Sequence, residues 1–172
     1  MKTTLLASVV LLSGTISLGS QGGSANIGSS DDRIEACSLL TQADVEAAIG
    51  ASVAEPAADT DKLGEVPFSH CTFTIKNDAE LVAVLLTVST YRSEAEVKAF
   101  FEKAMKEVAE ETTQVRGVGE GAYWWMDKTT LFVREDEHMI SVFLGPGVDG
   151  SLKAAQDMAE KVVSRIGGMA SD

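Results

Sequence analysis

Three short apolar runs stand close together late in the chain: Ala122–Met126, Thr130–Arg134 and Met139–Leu144. Asp127-Lys128 and Glu135-Asp136-Glu137 supply the turns between them. Connections this short, made of turn-forming residues, fit β-hairpins. The segment is therefore predicted to be an antiparallel meander, and Gly145-Pro146-Gly147 ends it.

The same two-residue period appears upstream. Phe68–Lys76 puts Cys71, Phe73 and Ile75 on one face and His70, Thr72, Thr74 and Lys76 on the other, the pattern of a half-buried strand. Asn77-Asp78 is a turn signal. Leu81–Tyr91 is β-rich and apolar on both faces at its start, which suits a central strand. Helical signals alternate with these strands. Thr41 is a good N-cap with Leu40 placed to staple onto Val45; Val45, Ala48 and Ile49 form a face, and Gly50 stops the helix. The stretch with Pro56, Asp59, Asp61, Gly64 and Pro67 is expected to be a loop. Ser93 and Glu96 have capping-box spacing at the head of a helix over 93–109. That helix is expected to dock through Phe100, Phe101 and Met105. Gly117-Val118-Gly119-Glu120-Gly121 interrupts the pattern. A last helix starts near Ser151, turns Leu152, Ala155, Ala159, Val162, Val163 and Ile166 to the core, and is expected to stop at Gly167-Gly168. The order α-β-β-α-β-β-β-α predicts an α+β fold, an antiparallel sheet of about five strands with helices on one face. One domain over 34–168 is expected, with a frayed tail over 169–172.

The first 25 residues read as a secretory signal. Lys2 precedes an uncharged run from Leu5 to Leu18, and small polar residues follow through Ala25. Cleavage after Gly19 and after Ala25 both satisfy the small-residue requirement. The apolar run is too short and too interrupted by Ser and Gly for a stable membrane span. Residues 26–33 form a polar tether. The chain is thus expected to be exported, periplasmic or extracellular, and to fold under oxidising conditions. An even pair of cysteines, Cys37 and Cys71, then predicts a disulfide. Acids outnumber bases 26 to 14, for a net charge of −12. Such a surface repels nucleic-acid phosphates and anionic lipid heads.

Candidates for chemistry are few. His70 sits on the polar face of a strand, and His138 follows Glu135-Asp136-Glu137 at a hairpin. No G-x-S-x-G elbow accompanies them. Of the acidic hairpin, only Asp136 and His138 share a strand face, and two ligands do not make a metal site. Asp59-x-Asp61-x-x-Gly64 starts like a calcium loop but has Leu63 at the fifth position and His70 at the twelfth. The glycines of 117–121 do not open a helix after a strand, so they suit a bend better than a phosphate cradle. No catalytic residue, metal ligand or cofactor is expected. Tyr123-Trp124-Trp125 is more telling. Alternation sends Trp124, with Ala122 and Met126, to the core, and Tyr123 and Trp125 to the other face. With helices on one face only, Tyr123 and Trp125 form an aromatic binding patch.

Ala36-Cys37-Ser38-Leu39-Leu40-Thr41, the helix-ending Gly50, a second Cys at 71 and Gly117-Val118-Gly119-Glu120-Gly121-Ala122-Tyr123-Trp124 occur in this order. Together, across about residues 36–166, they resemble small exported bacterial envelope proteins, many of them lipoproteins of unknown function. The resemblance implies an exported accessory domain with a PsbP-like α+β fold. The lipid-bearing Cys of many such proteins is replaced here: Ser17-Leu18-Gly19 runs into Ser20.

Three functions follow as expectations. The first is a non-enzymatic domain that binds an envelope or extracellular partner protein or a small apolar ligand. The second is an inhibitor or immunity-type protein acting through its acidic face. The third is a hydrolase using His70 or His138.

Overall fold

The computed structural model describes residues 34–169 apart from 64, 77, 147, 149 and 150. The expected signal, the tether and the tail beyond Met169 lie outside the described residues.

Thr41 starts the first substantial helix as expected. Its hydroxyl accepts from the Asp44 N–H at 3.2 Å, and its own N–H donates to Asp44 Oδ2 at 3.0 Å, a reciprocal cap that satisfies two otherwise orphaned donors. This is α2 (Gln42–Ile49), closed by Gly50 at φ 68°, a left-handed residue that glycine adopts without strain. Leu40 and Val45 are both fully buried, as a staple requires. A single turn, α1 (Ala36–Leu39), precedes it. The disulfide Cys37–Cys71 ties α1 to the sheet, with 5.0 Å between the Cα atoms.

The strands are β1 (Ala57–Leu63), β2 (Val66–Ile75), β3 (Asp78–Thr90), β4 (Thr112–Val115), β5 (Gly121–Trp125), β6 (Thr130–Glu135) and β7 (His138–Leu144). They form one antiparallel sheet in the order β1-β2-β3-β7-β6-β5-β4. The meander β5-β6-β7 and the central place of β3 match the sequence pattern. Two strands do not. The segment with Asp59 and Asp61, expected to be a loop, is the edge strand β1 paired with β2. Thr112–Val115 adds a second edge. The sheet therefore has seven strands where about five were expected.

The helices also depart from expectation. On one face, here the inner face, α1, α2 and α4 (Leu152–Met169) pack over Cys71, Phe73, Val84, Leu86, Ile140, Val142, Leu131, Val133, Ala122 and Trp124. On the other face lies α3 (Glu94–Glu107). Its Phe101 ring meets Tyr123 at 5.8 Å, and Glu94 at its head reaches Arg134 at 3.9 Å. Helices thus cover both faces, three on one side and one on the other. Nothing in a helix's amphipathic period says which face of a sheet it takes. Within α3, Val97, Phe101 and Met105 are buried, while Phe100 is 43% exposed and leans on Tyr91 with ring centres 5.5 Å apart. Phe100 is therefore no core anchor. The cap uses Ser93, whose hydroxyl accepts from Glu96 N–H; the Glu96 carboxylate accepts from Arg92 N–H. Finally, α4 runs through Gly167-Gly168 to Met169. Its buried stripe, Ala155, Met158, Ala159, Val162 and Ile166, carries the helix past the two glycines, whose cost of about 1 kcal/mol each is small beside that burial.

Candidate functional site

Register places the expected site residues. Tyr123 and Trp125 do share the outer face, and Trp124 is core. Met126 is not: it enters a single 3-10 turn (Met126–Lys128) and is 65% exposed. Tyr123 lies beneath Phe101 of α3 and belongs to that helix's seat. Trp125 is half-buried. Its indole N–H donates to Glu111 Oε2 at 3.0 Å, its ring lies 6.4 Å from Phe132, and Lys128 Nζ stands 6.0 Å from its centre. The indole is thus held on three sides.

Trp125 shares a groove with two phenylalanines that the sequence did not single out. Trp125, Phe132 and Phe143 line a groove of about 440 Å³, rimmed by Asp127, Lys128 and Thr129. Thr129 adopts φ 46°, an outlier for a β-branched residue. Its hydroxyl donates to the Leu144 carbonyl at 2.5 Å and its N–H to the Met126 carbonyl at 3.0 Å, which hold the turn in place. The signal that finds Phe132 and Phe143 is strand parity: once the β5–β6 and β6–β7 turns fix the register, both fall on the face of Trp125.

The two histidines lie on opposite faces. His70 is on the outer face, stacked on Phe68 at 6.0 Å and 3.7 Å from Asp59 Oδ2. Thr87 pairs with it across the strands. Asp59, His70 and a hydroxyl thus lie in line, but the His70–Asp59 distance exceeds a hydrogen bond, and activation of a hydroxyl nucleophile rests on such bonds. His138 is on the inner face and buried; its Nδ1 meets Thr90 Oγ1 at 3.3 Å. Burial pushes its pKa down, against the opposing pull of Glu137 and Asp136. Nearby, burial and the charges of Asp136 and Glu120 push Glu135 up. No group of three or more metal-ligating side chains gathers among the described residues. The Gly117–Gly121 segment is a bend. Gly117 and Gly119 have φ of 83° and 55°, and a Cβ at Gly119 would stand 2.7 Å from the Arg134 carbonyl oxygen.

A second groove, about 510 Å³ between α2 and α4, contains Asp44, Lys161 and Arg165. Asp44 Oδ1 accepts from Lys161 Nζ at 2.7 Å, and Arg165 Nη2 stands 2.8 Å from Oδ2. Burial alone would raise this carboxyl; the bonds from Lys161, Thr41 and Arg165 instead hold it far below the usual carboxylate range. Both cations are committed to Asp44, so this groove is an ionic clasp between two helices.

No protein-family model, curated protein or solved structure matches the chain. No helix of the described residues is long and apolar enough to cross a membrane.

Proposed function

We propose that the protein is an exported, non-enzymatic accessory domain that binds a small apolar ligand or an apolar segment of a partner protein on its outer sheet face. The observation that carries this is the cluster of Trp125, Phe132 and Phe143 around one groove. Clustered aromatic rings left in contact with water are costly for folding and useful for recognition. The disulfide is compatible with an oxidising compartment. A protruding acidic loop near Asp59 to Glu65 would favour the inhibitor alternative; Asp59 and Asp61 lie in edge strand β1.

The test is binding of the neutral apolar dye N-phenyl-1-naphthylamine to the disulfide-bonded protein. Enhanced dye fluorescence, reduced at least fivefold in both Trp125→Ala and Phe143→Ala with unchanged circular dichroism, is the expected result. Dye binding indifferent to both substitutions would sink the proposal.

A further inference from the structure

The Trp125 groove carries a sign of charge as well as apolar rings. Glu111 immediately precedes Thr112, the β4 residue that pairs with Trp125. That register brings the Glu111 carboxylate to the indole edge, where Oε2 accepts the Nε1 proton at 3.0 Å. Asp127 supplies a second carboxylate on the groove wall. Lys128 is the only cation among the described residues that line the groove. Its ammonium stands 6.0 Å from the centre of the Trp125 ring, near the outer limit of a cation–π contact. The hydroxyls of Thr129 and Thr130 donate to the carbonyls of Leu144 and Lys128 at 2.5 and 2.8 Å.

We infer that this groove is a site for a small organic cation with a methylated ammonium, the quaternary ammonium class. The inference rests on the binding-face proposal and names the ligand class. Charge selects the sign. An anion would meet two carboxylates in a protein of net charge −12. A neutral apolar molecule would use the rings but strip water from the Asp127 carboxylate without compensation. The rings select the form of the cation. A primary ammonium brings three N–H donors, and both hydroxyls on the groove wall are already turned to backbone carbonyls. A methylated ammonium has no N–H to leave unpaired, and its methyl groups carry the positive charge onto aromatic faces. Trp125, Phe132 and Phe143 offer three such faces around about 440 Å³, a volume suited to a small molecule. The bond from Trp125 to Glu111 does more than hold the indole. A negative charge at the ring edge polarises the ring and deepens the negative potential over its face, where the cation would sit. Backbone strain marks the same place: Thr129 at φ 46° is of the kind that gathers at ligand clamps.

Isothermal titration of the full disulfide-bonded chain at low ionic strength, where charge effects are largest, tests this. The probes are choline, ethanolamine and dimethylbutanol, the uncharged carbon analogue of choline. All three share a hydroxyethyl arm and differ only at the head. Choline should bind at least tenfold more tightly than either of the others, and Trp125→Ala should weaken it at least tenfold. Glu111→Gln and Asp127→Asn, which remove charge and keep shape, should each weaken it at least threefold. Lys128→Met should tighten it at least twofold, a gain that a folding defect does not produce. Dimethylbutanol binding as well as choline would overturn the cation site, as would choline binding indifferent to Trp125→Ala. Ethanolamine binding as well as choline would overturn the methylated class in favour of a primary amine. Capture on phosphatidylcholine vesicles without binding of free choline would overturn the free ligand in favour of a lipid headgroup. Naphthylamine dye bound through Trp125 with no choline binding would overturn the cation site while leaving the binding face standing. Loss of both signals would remove the binding face as well.

Discussion

The two faces of the sheet are built from the same strands and treated differently. The inner face is sealed by α1, α2 and α4, and Phe73, Leu86, Leu131, Ile140 and Leu144 are essentially inaccessible. The outer face has α3 alone, seated on Tyr123, and its other large side chains, Trp125, Phe132, Phe143 and Leu85, remain half-buried. One face is closed for stability. The other buries enough to hold a helix and keeps the remainder available. The contrast shows that alternating residues on one strand can serve two separate ends, because parity sends them to different environments.

The largest expected effect tests whether the inner face is the core. Phe73→Ala should cost about 3–5 kcal/mol, since the ring is fully buried. Phe101→Ala, which unseats α3 on the outer face, should fall near the lower end, about 3 kcal/mol. Urea midpoints measure both. Equal or inverted costs would mean that the outer layer matters as much as the inner, and the contrast would fail. Removing the Cys37–Cys71 bond comes next. It closes a separation of 34 residues, worth roughly 3–4 kcal/mol in the chain-entropy model. A midpoint unchanged by reductant would show that α1 is held by packing alone. The smallest effect is that of pH on His138. Its pKa is lowered by burial, so between the folded and unfolded values the unfolded chain binds more protons. Its contribution is absent well above about pH 6.5 and turns destabilising as pH falls through that value. His138→Gln should flatten the pH 5–7 part of the stability profile. A profile equally steep in the variant would point to other titrating groups.

Much of this fold was legible in the sequence, and the gaps have physical reasons. The meander, the cap at Thr41, the helix after Ser93 and the cysteine pair announce themselves through period, cap chemistry and count. Strand β1 does not, because Ala57–Leu63 lies at an edge, is exposed over 57–61 and carries Asp59, Asp61 and Lys62. Such charges protect an edge from pairing with other chains and erase the apolar alternation that would reveal it. Strand β4 is only four residues long, below what periodicity resolves. Trp125 was found from parity, but Phe132 and Phe143 look like ordinary strand residues until register brings them beside it. The side of the sheet chosen by α3 is a tertiary fact; Phe100 and Phe101 are equally apolar, and only docking decides which is buried.

One consequence of the disulfide concerns proteolysis. The bond closes a covalent ring through α1, α2, β1 and most of β2. A protease that cuts once within that ring, for instance in the β1–β2 connection at the sheet edge, yields two pieces that stay bonded through Cys37 and Cys71. The N-terminal piece cannot diffuse away, so its strand and helices stay at high local concentration beside their partners. For a domain expected to meet extracellular or periplasmic proteases, a nick there opens the chain without taking the fold apart.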